Sequence, residues 1–540
     1  MPIYRKMKSI VVLFAERNSK FMFDKVFGGK SAFDLSLEWA DSLNGTAVSP
    51  CACFVFASPR NSALCGGNIS GRNVSVIVEE RWTNLTLARR LRDCAADSGA
   101  DTIIFSFADC PFLDLPLTLR LAETHGSFCA EYTFSDGYPY GFAPEVLDAG
   151  AASVLAGILS GTYKETGAAE AGRDGIYGLV RTDINSFEVE TVLAPADWRL
   201  LRFDFSCSSK DGLLSCMALM ECSGGRRTPA AYAEAAAAAP GILKTVPGFY
   251  NIQICEKCPA GCGFCPYPKC FAAGHGIPPS AASGIMPKER LFPVISQISA
   301  LSDRAVVGLS AWGEPLEHPD IIEIIEEILS YDGLSVFIET DGLKVTEEFC
   351  SEVKAVLSRV PERTGKWPAL MFVVSLDSVS PEKYSEMHGH GGLEAAVDAV
   401  RRLENAVPGC VYPQMVRTCG NECELEKFFR LWKDRQGPSH GNLIIQKYDG
   451  FCGLLPDSRP ADLSPLERGV CWHLRRDMTI LCDGSVPLCR EFMLDGSAGN
   501  VFTDGVAEVW KRTDGLLRDH IAGKFDGKCG NCDEYYTFNF

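Results

Sequence analysis

The sequence has few basic residues for its length and no long hydrophobic run near its start. Its 540 residues include 52 Lys and Arg against 69 Asp and Glu, which gives a formal net charge of −17 at pH 7. A chain this acidic is not expected to bind the phosphate backbone of a nucleic acid or an anionic membrane. The apolar run Ile10–Ala15 is too short for a signal-peptide core or a membrane span. We therefore expect a cytoplasmic protein.

Cysteine, in contrast, is abundant, with 24 residues in the chain. In a secreted protein this number would suggest disulfide bonds, but a reduced cytosolic protein uses such thiols for metal–sulfur ligation. Hydrophobic residues make up 46% of the chain, so sizeable cores can form. A length of 540 residues predicts about three domains of the usual size.

Alternating strand and helix patterns predict an α/β fold with three parts. Residues 1–215 are predicted to form a Rossmann-like α/β domain. Residues 216–245, which include the run Ala235–Ala239, are predicted to be a linker or a surface helix. Residues 246–455 are predicted to form a partial (β/α)6 TIM barrel, because six strand–helix units are too few for a complete (β/α)8 barrel. Residues 456–540 are predicted to be a small cysteine-rich domain.

The strands are predicted from short apolar runs that are separated by helix patterns. In the first part, strands are predicted at Ile10–Phe14, Ala52–Phe56, Asp101–Phe107 and Leu200–Phe205, with helices such as Phe33–Leu43 and Leu87–Ala96 between them. The barrel strands are predicted at Phe249–Ile254, Ala305–Ser310, Leu334–Glu339, Ala369–Leu376, Val411–Arg417 and Asn442–Lys447.

Three cysteines follow the first barrel strand at a distinctive spacing. Cys258, Cys262 and Cys265 form a C-x3-C-x2-C run with an aromatic residue before the third cysteine. Three thiolates on a short loop can hold three irons of a [4Fe–4S] cluster and leave the fourth iron open. The alternative is a zinc site, for which Cys255 or Cys270 can supply a fourth ligand. The loop is expected at the carboxyl-terminal mouth of the barrel, where barrel active sites lie.

This run resembles the signature of radical S-adenosylmethionine (SAM) enzymes. In that family the open iron chelates the amino and carboxylate groups of SAM, and one electron from the cluster generates a 5′-deoxyadenosyl radical. Three later turns are similar to family elements in the same order, although Trp312 replaces the first glycine of the Gly-Gly-Glu turn. They are Gly313-Glu314, Thr340-Asp341-Gly342 and Ser375-Leu376-Asp377. The resemblance implies that SAM is bound by Gly313, Glu314, Thr340, Ser375, Asp377 and Arg417.

Some polar residues of the barrel can be interpreted in more than one way. Arg417 can meet the methionine carboxylate of SAM, or it can be a solvated or structural arginine. Asn421 and Glu424 follow the strand that resembles the one flanking adenine in the family. His388 and His390 lie in a Gly-rich loop, and we assign them no role.

Two further cysteine pairs lie near the end of the sequence. Four thiolates at Cys471, Cys489, Cys529 and Cys532 can hold a structural zinc ion. The first pair also resembles part of a SPASM domain, and the total number of cysteines is similar to the shortened "twitch" variant. That resemblance implies one auxiliary [4Fe–4S] cluster, held by these four cysteines, that relays electrons. Cys452 and Cys482 are then spare buried thiols.

One position departs from a known group of SPASM enzymes. In sulfatase-maturing members a carboxylate directly follows the cysteine of the Gly-x4-Cys element and serves as a base. Arg490 stands there in this sequence. We therefore do not expect sulfatase maturation.

The first part of the chain is similar to nucleotidyltransferases that activate sugars with CTP. The run that ends at Asp109-Cys110-Pro111 resembles their metal-binding strand, and Lys25 to Lys30 and Tyr138 to Phe142 resemble two substrate loops. Mg²⁺ on a carboxylate would give Asp109 a role. However, the segment Ala15–Ser19 has none of the glycines of the family's phosphate loop. We expect a binding or scaffold domain without transferase activity.

These observations together predict a radical SAM enzyme similar to spirochaete-type SPASM proteins. The implied cofactors are a SAM-binding [4Fe–4S] cluster, an auxiliary [4Fe–4S] cluster and SAM. The first hypothesis for its function is modification of a peptide or protein, with flavodoxin or ferredoxin as electron donor. The second is radical oxidation of a sugar or nucleotide-linked small molecule. The third is a nucleotide-sugar binding or transferase protein whose clusters are structural.

Overall fold

The computed structural model divides the chain into two compact units. They are Met1–Leu243 and Lys244–Phe540. The structure describes residues 7–15, 19–69, 71–224, 226–267, 284–364, 367–492, 496–525 and 527–537. Cys270 and the central residues of the segment Ala15–Ser19 lie outside the described residues.

The first unit is built on a mixed sheet that has seven strands among the described residues. Its order is β3-β2-β1-β4-β6-β5-β7, and β6 is antiparallel to both β4 and β5. The pairs β3-β2, β2-β1, β1-β4 and β5-β7 are parallel. The strands are β1 Ser9–Phe14, β2 Ala52–Ala57, β3 Val74–Val78, β4 Thr102–Phe107, β5 Tyr132–Asp136, β6 Glu145–Asp148 and β7 Val189–Leu193.

Helices cover both faces of this sheet. Strand β1 is buried along its whole length, as expected for a parallel strand with layers on both sides. Ile10 and Val12 pack in one core with Leu87, whereas Val11 packs in another with Phe33. The helices are Ala32–Ser42, Ser62–Asn68, Asn84–Ser98, Leu115–Phe128, Ala149–Ser160, Lys164–Ala168, Gly175–Val180, Lys210–Cys222 and Pro229–Ala238.

The predicted strand Leu200–Phe205 is wrong. Residues Trp198–Leu201 form a short 3-10 helix because the Asp197 side chain accepts a hydrogen bond from the backbone N–H of Arg199 at 3.1 Å. Arg202 then takes a left-handed backbone conformation with φ of 50°, which an extended strand does not allow.

Helix Pro229–Ala238 lies in the first unit, in the segment for which a linker or surface helix was predicted. Thr228 caps this helix, and its hydroxyl accepts from the N–H of Ala231 at 3.2 Å. Tyr232 stacks on Phe112 with ring centroids 4.2 Å apart. This aromatic contact attaches the alanine-rich helix to the core of the unit.

The second unit contains a curled parallel half-barrel. Its sheet has the order β13-β12-β11-β10-β9-β8-β14, and its seven strands lie within the described residues. The strands are β8 Phe249–Ile252, β9 Ala305–Gly308, β10 Leu334–Thr340, β11 Leu370–Ser375, β12 Val411–Arg417, β13 Ile444–Lys447 and β14 Asp477–Ile480. The structure contains all six predicted barrel strands, and it adds β14, which pairs in parallel with β8.

Helices of the second unit pack against the convex face of the sheet, but not all of them do. Ile324 and Ile328 of one helix lie in the same core as Val336 and Ile338 of β10. The intervening Phe337 points to the concave face, because successive side chains of a strand alternate. The helices are Lys288–Ser302, Ile321–Leu329, Glu347–Leu357, Pro381–His388, Leu393–Ala406, Leu425–Lys433, His473–Arg476, Val501–Asp504, Val506–Arg512, Asp514–Ile521 and Lys528–Asn531.

A small antiparallel ladder joins β15 Ser485–Val486 to β16 Gly499–Asn500. The chain turns into β15 at Gly484, whose φ is 84°. A Cβ at this position would overlap the ring of Phe502. In the part of the chain that the structure describes, no helix is long and apolar enough to cross a membrane.

Candidate functional site

A cavity of about 770 Å³ opens at the carboxyl ends of the barrel strands. Ser310, Glu339 and Gln414 line it from three different strand ends or the turns beyond them. The seven cysteines that the sequence analysis selected as metal ligands all line this one cavity. They are Cys258, Cys262, Cys265, Cys471, Cys489, Cys529 and Cys532.

The loop with the first three cysteines is held against the end of helix Pro381–His388. The N–H of Gly261 donates to the carbonyl of His388 at 3.0 Å, and the N–H of Gly263 donates to the carbonyl of Met387 at 2.9 Å. A Cβ on Gly389 would come within 3.3 Å of the Gly261 backbone. Gly261 and Gly389 therefore permit the close approach between the cysteine loop and the end of the helix, which fixes the loop.

His388 is buried between this loop and β11. Its Nδ1 lies 3.6 Å from Sγ of Cys262, and its Nε2 lies 3.0 Å from Oδ2 of Asp377. The sequence analysis gave His388 no role, and no spacing in the sequence indicates this contact. His390 differs, because its Nδ1 faces the Gly391 carbonyl at 2.8 Å and its side chain does not line the cavity.

The thiols of the loop are costly to ionise without a bound cation. Burial raises the pKa of Cys258 to about 12. The pKa of Cys262 is also raised, first by burial and then by the neighbouring Cys265. Thiolates at these positions need positive charge close by, which a metal cluster supplies.

Among the described residues, neither cysteine set is clustered as closely as the ligands of one zinc ion. Sulfurs bound to one zinc at about 2.3 Å each are at most about 4.6 Å apart. Among the described residues, the only cluster of three or more potential ligands whose atoms all lie within 4.8 Å of one another is Asp449, Asp533 and Glu534. Neither cysteine set converges to that degree.

The turn with Gly313 and Glu314 has the geometry of a tight binding loop. Gly313 has φ of 154°, and a Cβ there would overlap the carbonyl of Cys255. The preceding Trp312 packs edge-on against Phe451, with ring centroids 6.1 Å apart. Tryptophan at the position of the usual glycine is therefore accommodated by packing, whereas Gly313 itself has no room for a side chain.

Glu314 is buried and connects this turn to the next one. Its Oε1 accepts from Oγ1 of Thr340 at 2.7 Å, and its Oε2 accepts from the N–H of Asp341 at 3.0 Å. Burial, and then the charge of Asp341, raise the pKa of Glu314 to about 8. Oδ2 of Asp341 is buried without a hydrogen-bond partner in the described structure, and Asp341 lines the cavity. The pair can accept a cationic group such as an ammonium.

The other residues predicted to bind SAM are placed differently. Ser375 lines the cavity, but Asp377 and Arg417 are not among the residues that line it. Asp377 accepts from the N–H of Val416 at 2.5 Å and faces His388 with its other oxygen. Arg417 makes two hydrogen bonds with Glu422, at 2.7 and 2.6 Å. Their assignment as cofactor ligands stays a prediction.

Asn421 and Glu424 have structural contacts. Nδ2 of Asn421 donates to the carbonyls of Asp377 and Val416, at 2.8 and 2.9 Å. Glu424 accepts from the hydroxyls of Ser378 and Ser380, both at 2.6 Å. These bonds hold the turns after β11 and β12 in place.

A fifth thiol, that of Cys452, lies beside the second set of cysteines. Cys452 lies within hydrogen-bond distance of Cys532, and this bond lowers the pKa of the Cys532 thiol to about 7. Sγ of Cys452 is also 3.9 Å from Oε2 of Glu491. Cys482 is buried and does not line the cavity.

Charged residues also line the cavity. Nη2 of Arg490 lies 2.6 Å from Asp449, and Nζ of Lys447 lies 2.9 Å from Asp533. Both basic residues line the cavity. Arg490 stands where sulfatase-maturing enzymes have a carboxylate, and it is itself held by ion pairs.

In the first unit, Asp109 is buried and already has a cationic partner. The guanidinium of Arg173 bonds both carboxylate oxygens, with Nη1 2.9 Å from Oδ1, and Oγ of Ser19 donates to Oδ2 at 2.7 Å. Burial alone would raise the pKa of Asp109, but the charge of Arg173 together with the hydrogen bonds from Arg173 and Ser19 outweighs burial, and the pKa is lowered. No sequence spacing indicated Arg173. The predicted metal-binding carboxylate is thus occupied by an arginine.

Two family models match residues of the second unit. The model described as "Radical SAM superfamily" matches residues 252–431, and an "Iron-sulfur cluster-binding domain" model, SPASM, matches residues 471–533. A protein of Treponema pallidum (strain Nichols), described as uncharacterized, is 39% identical over 374 residues, which is 68% of this chain and 98% of that protein.

Two further matches are more distant. A GTP 3′,8-cyclase of Peptoclostridium acidaminophilum is 26% identical over 192 residues, 35% of this chain and 52% of that protein, so the match spans about half of its length. The crystal structure of Streptococcus suis SuiB bound to the precursor peptide SuiA has a TM-score of 0.39 at 14% identity, over 57% of this chain and 75% of that chain.

Proposed function

Because this chain belongs to the radical SAM superfamily and has a SPASM domain, we propose that its seven cavity cysteines hold two iron–sulfur clusters. In this proposal Cys258, Cys262 and Cys265 hold the SAM-binding [4Fe–4S] cluster. An auxiliary [4Fe–4S] cluster is held by Cys471, Cys489, Cys529 and Cys532. The observation that carries the proposal is that all seven thiols line one cavity of about 770 Å³.

The binding site for SAM is supported by the turns after β9 and β10. Gly313 brings backbone close to the cysteine loop, and Glu314 with Asp341 offers buried carboxylate oxygens to an ammonium group. Thr340 orients Glu314 through its 2.7 Å hydrogen bond. Ser375 lines the same cavity from the end of β11.

When bound, the reduced cluster and SAM supply a 5′-deoxyadenosyl radical that abstracts hydrogen from the substrate. The residues of this chain position the reactants for that step and keep water out. A substrate would enter the same cavity, which Arg490 and Lys447 also line. The auxiliary cluster, held by the second set of cysteines, would supply an electron acceptor for an oxidation.

The proposed substrate is a peptide or protein, which rests on analogy with SPASM enzymes. A second candidate is oxidation of a sugar or nucleotide-linked small molecule, favoured by an auxiliary site of four cysteines, enough for one cluster only. A nucleotide-sugar transferase is not favoured, because Arg173 already occupies the carboxylate of Asp109. We place the enzyme in the cytoplasm, with flavodoxin or ferredoxin as the electron donor.

The test is metal analysis of anaerobically reconstituted protein, together with EPR spectroscopy and an assay of SAM cleavage. We expect about eight irons in the wild type, and about four in a variant with Cys258, Cys262 and Cys265 all changed to Ala. Only the wild type should form 5′-deoxyadenosine under strong reduction. Zinc in place of iron, or no 5′-deoxyadenosine from iron-loaded protein, would contradict the proposal.

A further inference from the structure

His388 is a buried side chain beside the cysteine loop to which neither the cluster nor SAM gives a role. Its Nδ1 is aligned with Sγ of Cys262 at 3.6 Å, a normal length for a hydrogen bond to sulfur. The side chain is 1% exposed. A buried ring in this position is held by the fold and has a fixed direction.

Two aromatic contacts hold the ring in place. Tyr384 stacks on it with centroids 4.2 Å apart, and Phe264 meets it edge-on at 5.5 Å. Asp377 lies at the opposite edge, with Oδ2 3.0 Å from Nε2, although these two atoms are not aligned for a hydrogen bond. Asp377 is in turn anchored by the N–H of Val416.

The chemistry of the contact follows from the state of the sulfur. An iron-bound thiolate can only accept a hydrogen bond, so Nδ1 of His388 is the donor once Cys262 binds iron. Hydrogen bonds to cysteine sulfurs are among the factors that set the reduction potential of an iron–sulfur cluster. Such hydrogen bonds stabilise negative charge on the sulfur. They therefore favour the reduced cluster, which carries more negative charge than the oxidised cluster.

We propose that His388 donates from Nδ1 to the Cys262 thiolate and thereby raises the reduction potential of the SAM-binding cluster. His388 is a positioning and tuning residue in this proposal. The proposal rests on the assignment of Cys262 as a cluster ligand made under the proposed function.

The test is an EPR-monitored redox titration of the full chain, in which the SAM-binding cluster is identified by the change of its signal on addition of SAM. In His388→Phe the aromatic stacking is kept and the donor is lost, so the midpoint potential should become more negative. His388→Gln keeps an N–H donor and should restore part of the shift.

His390→Phe is the matched control, since His390 lies two residues on and its Nδ1 faces a backbone carbonyl instead of a cysteine. It should leave the potential unchanged. Equal midpoint potentials in the wild type and His388→Phe would overturn this proposal alone. Should His388→Phe fail to assemble a cluster, His388→Leu, which also lacks the donor, decides by the same measurement. Full iron retention in the triple Cys→Ala variant would overturn the assignment of Cys262, and this proposal with it.

Discussion

Arg173 bonds both carboxylate oxygens of Asp109, a residue that is 1% exposed in the first unit. A buried carboxylate with this partner has no open position for a divalent cation. The guanidinium also lies over the ring of Phe107, 4.7 Å from its centroid, which fixes it from the other side. The ion pair is therefore a structural element of the unit.

Arg173→Leu should destabilise the first unit by about 3–5 kcal/mol, because it leaves the Asp109 carboxylate buried without a counter-ion. The double variant Asp109→Asn with Arg173→Leu should recover much of this loss. Hydrogen exchange of β4, which directly precedes Asp109, measures the effect within this unit. Arg181→Leu is the control, since the Arg181–Asp174 pair is exposed. Unchanged exchange in Arg173→Leu would show that Asp109 is neutral.

The full chain should not release pyrophosphate from CTP in the presence of Mg²⁺. The expected reason is that Arg173 and Ser19 occupy the carboxylate that would hold the metal. A coupled pyrophosphate assay with several sugar phosphates as acceptors measures this directly. Turnover that disappears in Asp109→Asn would contradict the expectation of a binding or scaffold unit.

Glu314→Gln should weaken SAM binding by about 10- to 100-fold, the effect of losing a charged hydrogen-bond partner. The carboxyl has a pKa of about 8, and only its ionised form attracts an ammonium group. Affinity in the wild type should therefore rise with pH up to about pH 8, and the variant should lose this dependence. Anaerobic calorimetry of iron-loaded protein measures both.

The exposed Glu323→Gln is the control for this experiment. Its carboxylate pairs with Lys288 on the surface, away from the cavity. An affinity for SAM that is the same in wild type and Glu314→Gln would remove Glu314 from the cofactor site.

Cys532→Ser should reduce the iron content by up to four irons per chain, whereas Cys452→Ser should leave it at about eight. The two thiols contact each other, so this pair of variants separates a ligand from its neighbour. Iron and sulfide analysis with EPR of the auxiliary cluster is the measurement. Loss of iron in Cys452→Ser would show that Cys452 is a ligand and that the set of four is incomplete.

The sequence by itself determined the fold class and the order of the barrel strands. Local patterns carry that information, since apolar runs such as Val411–Arg417 alternate with amphipathic helices such as Ile321–Leu329. It also determined the family, because the C-x3-C-x2-C run and the turn at Gly313-Glu314 are local in sequence. A side chain at position 313 would overlap the backbone of Cys255. This requirement can be seen in the sequence, because the position is a glycine.

Only the tertiary structure decided which distant residues meet. Strand β14, Asp477–Ile480, pairs with β8 more than 200 residues earlier, and a four-residue strand has too little pattern to be recognised alone. The contact of His388 with Cys262 spans 126 residues, and that of Arg173 with Asp109 spans 64. Such contacts depend on where the fold brings two elements together. The number of residues between the two partners does not indicate that they meet. The same reason places all seven cysteines around one cavity.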